Sequence, residues 1–176
     1  MHQHRSEEEA LDAFRQAKDE FFRTDPYSPL TPEQQTVFDG LSYYPYNPSL
    51  DLRLPLDRDV SDEPVVMDTS TGDRREYRRA GKIRFEVKGE PAELTIYEGP
   101  EGDLFLPLRD VTSGKETYGA GRYLEPEWLD EDSVEANFNL LYNPYCAYND
   151  AYSCPLPPLE NWLQVPIEAG EKKFHE

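Results

Sequence analysis

The chain has 176 residues, of which 36 are acidic and 18 basic, giving a net charge of −18. That length suits one domain, 1–176, with an apolar core of its own, and the charge excludes a general nucleic-acid binder, whose phosphate contacts need a basic face. No apolar run reaches the roughly 18 residues that cross a bilayer, and the opening MHQHRSEEEALDAF lacks an apolar signal core. The expectation is a soluble, cytoplasmic protein that engages neither nucleic acid nor membrane, with its 2 cysteines kept as thiols.

The first element reads as a helix. Ser6 and Glu9 have the spacing of a capping box, and Leu11, Phe14, Lys18 and Phe21 or Phe22 recur at helical intervals, the lysine stem extending the apolar stripe. Asp25-Pro26 ends it. Thr31-Pro32 starts a second, short helix with a threonine cap and proline in its first turn, and Gly40 follows its end. Residues 6–40 therefore form a helical segment that needs a sheet to pack on.

From residue 50 onward the apolar period changes to two. Leu52, Leu54 and Leu56 alternate with polar residues, and Pro55 restricts that strand to an edge. Val65–Met67 and Arg74–Arg78 flank a turn at Thr71-Gly72-Asp73. Ile83, Phe85 and Val87 make the clearest half-buried strand. Turns at Lys88-Gly89-Glu90-Pro91 and Gly99-Pro100-Glu101-Gly102 lead into strands at Leu94–Ile96 and Leu104–Leu108. Gly121–Leu124 fits a further strand, and Val134, Ala136, Phe138 and Leu140 form the last alternation. Short strands with a turn about every ten residues predict a mainly β domain over 50–176, an antiparallel barrel or sandwich with one or two short N-terminal helices packed on it.

Histidine constrains the chemistry. His2, His4 and His175 all lie near a chain end, where chains fray, so a serine–histidine triad, a cysteine–histidine dyad or a multi-histidine metal site would need a tail to fold inward. The segment Arg109–Tyr123, RDVTSGKETYGAGRY, is locally net positive and glycine-rich. Arg122, the backbone at Gly114, Gly119 and Gly121, and the hydroxyls of Thr112 and Thr117 could hold a carboxylate or phosphate. The competing reading is a loop whose arginine pairs internally with Asp110 or Glu116. Gly114-Lys115 is no P-loop, because Arg109 stands where its first glycine should be and Glu116 replaces the serine or threonine.

The segment Leu141–Leu163 carries four tyrosines, four prolines, a tryptophan and both cysteines, but only two charges, Asp150 and Glu160. Tyr142, Tyr145, Tyr148 and Tyr152 read as a packed wall or as the lining of a site. Long irregular segments inside compact domains are usually functional. Cys146 and Cys154 stand eight positions apart and are open to four readings: buried thiols, a disulfide, a nucleophile beside a cation, or two metal ligands lacking the rest of a set. No metal site is expected, and no cofactor is indicated.

LFLPLRDVTSGKETYGAGRYLE and NPYCAYNDAYSCPLPPLENWLQVPIEAGEK resemble the bacterial and archaeal domain-of-unknown-function family DUF 1684, as do KDEFFRTDPYSPLTPEQ and FDGLSYYPYNP. The resemblance implies no activity. It places the family signature on Asp110, Thr112, Gly114, Thr117, Tyr118, Gly119, Gly121, Arg122 and Tyr123, and then on Asn139, Asn143, Pro144, Cys146, Ala147, Tyr148, Cys154, Pro155, Pro157, Pro158, Glu160 and Asn161. The expectation is a pocket between the 109–123 loop and the 141–163 segment that takes a small anionic molecule. Arg122, Thr112, Gly114, Thr117, Gly119, Gly121, Asn143, Cys146 and Asn161 would contact it. Were the pocket catalytic, Asp110 or Glu160 would serve as acid or base, with Tyr118 or Tyr148 as proton donor. The alternative is an interaction or scaffold module whose motif residues are structural.

Overall fold

The structure is a computed structural model that describes residues 2–99 and 101–175. Helix α1 spans His2–Thr24. It begins four residues ahead of Ser6, so the Ser6–Glu9 spacing does not mark its start, and the Ser6 side chain lies outside the described residues. Leu11 and Phe22 are buried, whereas Phe14, on the same stripe, stays 51% exposed. The helix is pinned by polar groups as well. Arg15 donates to the Tyr44 carbonyl (2.9 Å), and Asp19 accepts from the Leu41 amide (3.1 Å) and the Tyr43 hydroxyl (3.2 Å). Helix α2, Pro32–Val37, starts as its sequence predicts: Thr31 Oγ1 accepts from the Gln34 amide and Gln34 Oε1 from the Thr31 amide, a reciprocal cap.

Among the described residues eight strands follow: β1 Asp51–Pro55, β2 Val65–Asp68, β3 Arg74–Val87, β4 Glu90–Glu98, β5 Leu104–Leu108, β6 Arg122–Leu124, β7 Glu127–Trp128 and β8 Ser133–Asn137. They form two antiparallel sheets, one ordered β1-β8-β7 and the other β2-β3-β4-β5-β6. Pro55 sits in β1, which pairs with β8 alone, so its missing donor faces no partner strand. The turn between β4 and β5 closes through Gly99 N–H to the Asp103 carbonyl (2.9 Å); Pro100 in it lies outside the described residues.

Two departures from the sequence pattern have local causes. Strand β7 is two exposed residues with no alternation to betray them. The last alternation stops at Ala136, because Asn137 Oδ1 accepts from the Asn139 amide (3.1 Å) and turns Phe138–Leu140 into a 3-10 turn. Phe138 stays fully buried, while Leu140 comes to the surface.

Both sheets contribute to one apolar core: Ile83, Leu94, Ile96, Leu106 and Leu108 from the larger, Val134 and Ala136 from the smaller. Strand β3 bends to cover both, with a register shift between Arg79 and Gly81. At Gly81 it passes so close to the β1 extension that an added Cβ would lie 2.6 Å from Leu56 Cγ and 2.7 Å from the Asp57 carbonyl oxygen.

The chain after Asn161 forms a strap without being a strand. Arg109 N–H donates to the Asn161 carbonyl (3.0 Å), Leu163 N–H to the Arg109 carbonyl (2.8 Å), and Glu171 N–H to the Leu141 carbonyl (3.0 Å). Tyr44 N–H reaches Gly170, and Lys172 N–H reaches Ser42. The strap thus ties the 109–123 loop, the 141–163 segment and the chain between the helices and β1 into one layer.

The close approach at Gly81 predicts that Gly81→Ala costs about 1–3 kcal/mol through overpacking. Urea unfolding of the two proteins should show this as a lower midpoint with an unchanged slope.

Candidate functional site

Arg122 opens β6 with its side chain pointing inward, and it is 1% exposed. Its two terminal nitrogens donate to three carbonyls of the strap, those of Ile167 (2.8 Å), Ala169 and Glu171 (3.1 Å). Asp110 supplies the compensating charge at 3.6 Å. That carboxylate also accepts from Thr112 Oγ1 (2.9 Å), Ser113 Oγ (3.2 Å) and the Ile167 amide (2.6 Å), and Thr112 in turn bonds Thr117 (2.9 Å). Every strong group at this end of the 109–123 loop faces the strap.

The loop's backbone is similarly occupied. The amides of Ser113, Gly114, Lys115, Thr117 and Gly121 donate to carbonyls within the loop itself, so they do not form a cradle of free donors for an anion. Gly121 has φ +108°, and a Cβ there would fall 2.5 Å from the Leu108 carbonyl oxygen, which makes its glycine a packing requirement. Gly114, at φ +83°, borders open space, and a Cβ at Gly119 would meet the Gly114 backbone in ordinary contact at 3.7 Å. Of the two readings, internal pairing is the one this geometry fits.

The other expected residues divide in the same way. Asn161 accepts from the Thr95 amide (2.9 Å) and donates to the Thr95 and Pro107 carbonyls (both 2.8 Å), patching its turn onto β4 and β5. Asn143 donates from its side chain to the Lys172 carbonyl (3.0 Å) and from its backbone to Glu171 (3.2 Å). Glu160 is gripped by Arg79 through two bonds of 3.2 and 2.8 Å, and those bonds hold its pKa below the usual carboxylate range. The Tyr148 hydroxyl donates to Glu171, and burial together with that carboxylate pushes its pKa well up. Asp110, Glu160 and Arg122 thus belong to internal pairs and do not converge on a cavity.

The sequence reading missed Glu171. It is buried, yet accepts from Lys18 Nζ, the Tyr148 hydroxyl and the Asn143 amide. The signal was present: Val165, Ile167, Ala169 and Glu171 share one period-two face of the strap, and the first three are buried. The tail also folds inward instead of fraying. Phe174 packs on Tyr148 and Phe38, and His175 Nε2 lies 3.3 Å from the Tyr148 carbonyl. The His2 and His4 side chains lie outside the described residues.

An aromatic cleft of about 540 Å³ falls within the size range of small-molecule sites. The 141–163 segment supplies most of its lining, through Tyr142, Pro144, Tyr145, Tyr152, Cys154 and Pro155. The 109–123 loop supplies Tyr123 alone; the facing wall is Phe14 and Lys18 of α1, with Arg75 of β3 and Glu125. Lys18 Nζ lies over the Tyr142 ring at 5.2 Å, and Tyr145 meets Tyr152 edge-to-face at 5.3 Å. Glu125 is taken by the Tyr142 hydroxyl. Arg75 spends one bond on the Ser153 carbonyl (2.8 Å) and has no carboxylate partner among the described residues. A larger hollow, about 750 Å³, lies beside Asp130, Glu131 and Asp132; it is an open acidic turn with no aromatic lining.

Beneath the cleft, Tyr123, Cys146 and Cys154 form a small buried cluster with Phe105, Tyr118 and Tyr142. Both thiols are free. The Cys146 amide donates to Cys154 Sγ (3.3 Å), and Cys146 Sγ lies 3.6 Å from the Tyr118 hydroxyl.

The family described as "Protein of unknown function (DUF1684)" matches residues 36–172, and the chain belongs to it. A solution NMR structure of an uncharacterised protein from Haloarcula marismortui is similar over 97% of this chain and 96% of that one, at 37% identity and a TM-score of 0.69. No curated protein matches. Among the described residues, no helix is long and apolar enough to cross a membrane.

The pairing predicts two contrasts. Arg122→Ala leaves Asp110 and three strap carbonyls buried without their donor and should cost about 3–5 kcal/mol, whereas Arg75→Ala should stay within about 0.5 kcal/mol; denaturant unfolding separates them. Glu160 has a folded pKa below its unfolded one, so its contribution is complete above pH about 4.5 and is lost as pH falls through the folded value. Melting temperatures of wild type and Glu160→Gln should therefore differ at neutral pH and converge in acid.

Proposed function

We propose that this member of the DUF1684 family binds a small anionic molecule with a flat or apolar body in the cleft between α1 and the 142–155 segment. The observation that carries this reading is Arg75: an exposed guanidinium with no ion-pair partner among the described residues, at the edge of an aromatic cleft, in a chain of net charge −18. An unpaired cation costs such a protein nothing in self-repulsion and gives an incoming carboxylate or phosphate a bidentate partner. The tyrosine faces would pack the body of the ligand, and Lys18, already neutralised by Glu171, would add a donor at the floor.

Relative to the anion site read from the sequence, this places the contacts on Arg75, Tyr145 and Tyr152, with Arg122, Asp110 and Asn161 as scaffold. Cys146 and Asn143 lie in the layer behind. The reading is one of binding: Asp110 and Glu160 are held by Arg122 and Arg79 and do not line the cleft. The alternative of an interaction module shares the structural role of the motif residues and differs in leaving the cleft unused.

A panel of aromatic carboxylates and aryl phosphates, followed by two-dimensional amide NMR of the labelled full chain, tests this. At least one compound should shift the amides of residues 142–155, and Arg75→Glu should weaken it more than tenfold with an unchanged melting temperature. A panel that moves no cleft amide, or binding indifferent to Arg75→Glu, overturns the reading.

A further inference from the structure

We propose that Cys146 and Cys154 are a redox pair that reacts with a small hydroperoxide and closes a reversible disulfide, Cys146 being the attacking thiol and Cys154 the resolving one. The argument starts from the loop. Cys146 sits in the short turn Tyr145–Ala147, and Cys154 ends the excursion that follows, whose Asp150, Ala151 and Tyr152 are exposed. The excursion folds back so that the Cys146 amide donates to Cys154 Sγ at 3.3 Å. Both residues thus occupy one small cluster, and no other cysteine exists in the chain to compete.

The surroundings assign different roles to the two sulfurs. Cys146 Sγ lies 3.6 Å from the Tyr118 hydroxyl, and its pairing with Cys154, together with that hydroxyl, lowers its pKa against the opposing effect of burial. Cys154, paired with Cys146 and itself buried, is pushed up, against the Cys146 amide and the Arg75 cation, which favour its thiolate. The pair therefore favours one thiolate beside one thiol, the starting state of a two-cysteine peroxide reaction.

Access comes from two sides. Cys154 borders the aromatic cleft. Cys146 borders a second hollow of about 320 Å³, together with Thr31, Gln34, Asn149 and His175. Cys146 is only 8% exposed, which favours a small oxidant over a bulky disulfide.

The Cys146 thiolate attacks one peroxide oxygen, the S–O bond forms as the O–O bond breaks, and the departing alkoxide or hydroxide takes a proton from solvent. Cys146 is then a sulfenic acid. Cys154 gives up its proton and attacks the Cys146 sulfur; the S–S bond forms, and the sulfenic oxygen leaves with that proton as water. In sum two thiols lose two electrons, and one hydroperoxide becomes an alcohol, or water, plus water.

The full chain is treated at pH 7 with one equivalent of hydrogen peroxide beside an equal concentration of free cysteine, then denatured and alkylated. The expected result is loss of both alkylatable thiols, a mass decrease of about 2 Da, and a rate at least tenfold above free cysteine. A disulfide-cleaving reductant should restore both thiols. Cys154→Ser should instead trap a dimedone adduct on Cys146, with no disulfide. Both thiols surviving while free cysteine is consumed, or Cys154 forming the sulfenic acid in Cys146→Ser as fast as the wild type reacts, overturns the proposal.

Discussion

A buried guanidinium organises this structure. Taking a charge out of water is expensive, and the cost is tolerable only where partners with good geometry replace the lost solvent. Arg122 has three strap carbonyls and Asp110. Because those carbonyls belong to Ile167, Ala169 and Glu171, the guanidinium can be satisfied only when the strap is in place. The strap has no ladder of its own, so the arginine adds to the scattered backbone bonds that hold it. Local structure and tertiary packing are joined at one side chain.

Glu171 carries the same logic to the other end of the strap. Its carboxylate is buried among Lys18 of α1, the Tyr148 hydroxyl and the Asn143 amide. Helix α1 is therefore held by a charge pair as well as by Phe22 and Leu11, and Lys18 is fixed where its ammonium meets the Tyr142 ring. The cleft is a consequence. Its two walls, α1 and the 142–155 segment, are each tied to Glu171, and the space between them is what the tie leaves open. A cavity with walls fixed by buried charges is pre-organised, which lowers the ordering cost of any ligand that enters it.

Much of the fold was legible in the sequence because β-sheets announce themselves by period. Ile83, Phe85 and Val87 read as a half-buried strand, and all three are buried in β3; Thr31-Pro32 read as a helix start, and the reciprocal cap is there. What failed had no period to read. Strand β7 is too short to alternate, and Leu140 continued a pattern that the Asn137 side chain cuts off. The site was harder still. The 141–163 segment stood out by composition and does line the cleft. Its facing wall was illegible because α1 and Arg75 are distant in sequence, and nothing local to Phe14, Lys18 or Arg75 states what they face. Arg122 misled for an instructive reason: an arginine among glycines fits an anion site and a buried clamp equally, and only three-dimensional context shows which carbonyls it meets.

The charge distribution sharpens the distinction between the two kinds of arginine here. With 36 acidic residues against 18 basic ones, carboxylates are abundant, and Arg79, Arg84, Arg122, Lys82 and Lys88 pair with them, whereas Arg53, Arg58, Arg75, Arg78 and Arg109 form no ion pair among the described residues. Arg75 lies on the same strand as Arg79, Lys82 and Arg84, yet it meets only the Ser153 carbonyl. The cleft it lines also holds tyrosines, two prolines and Glu125, whose carboxylate is occupied by Tyr142. Of the arginines without an ion pair among the described residues, Arg75 is the one that lines the aromatic cleft. Long-range repulsion from the −18 surface disfavours the approach of any anion, so a ligand that does bind must recover that cost at short range. A bidentate contact to Arg75 combined with stacking on tyrosine supplies such a gain, and it favours an anion with an aromatic body over a bare inorganic one.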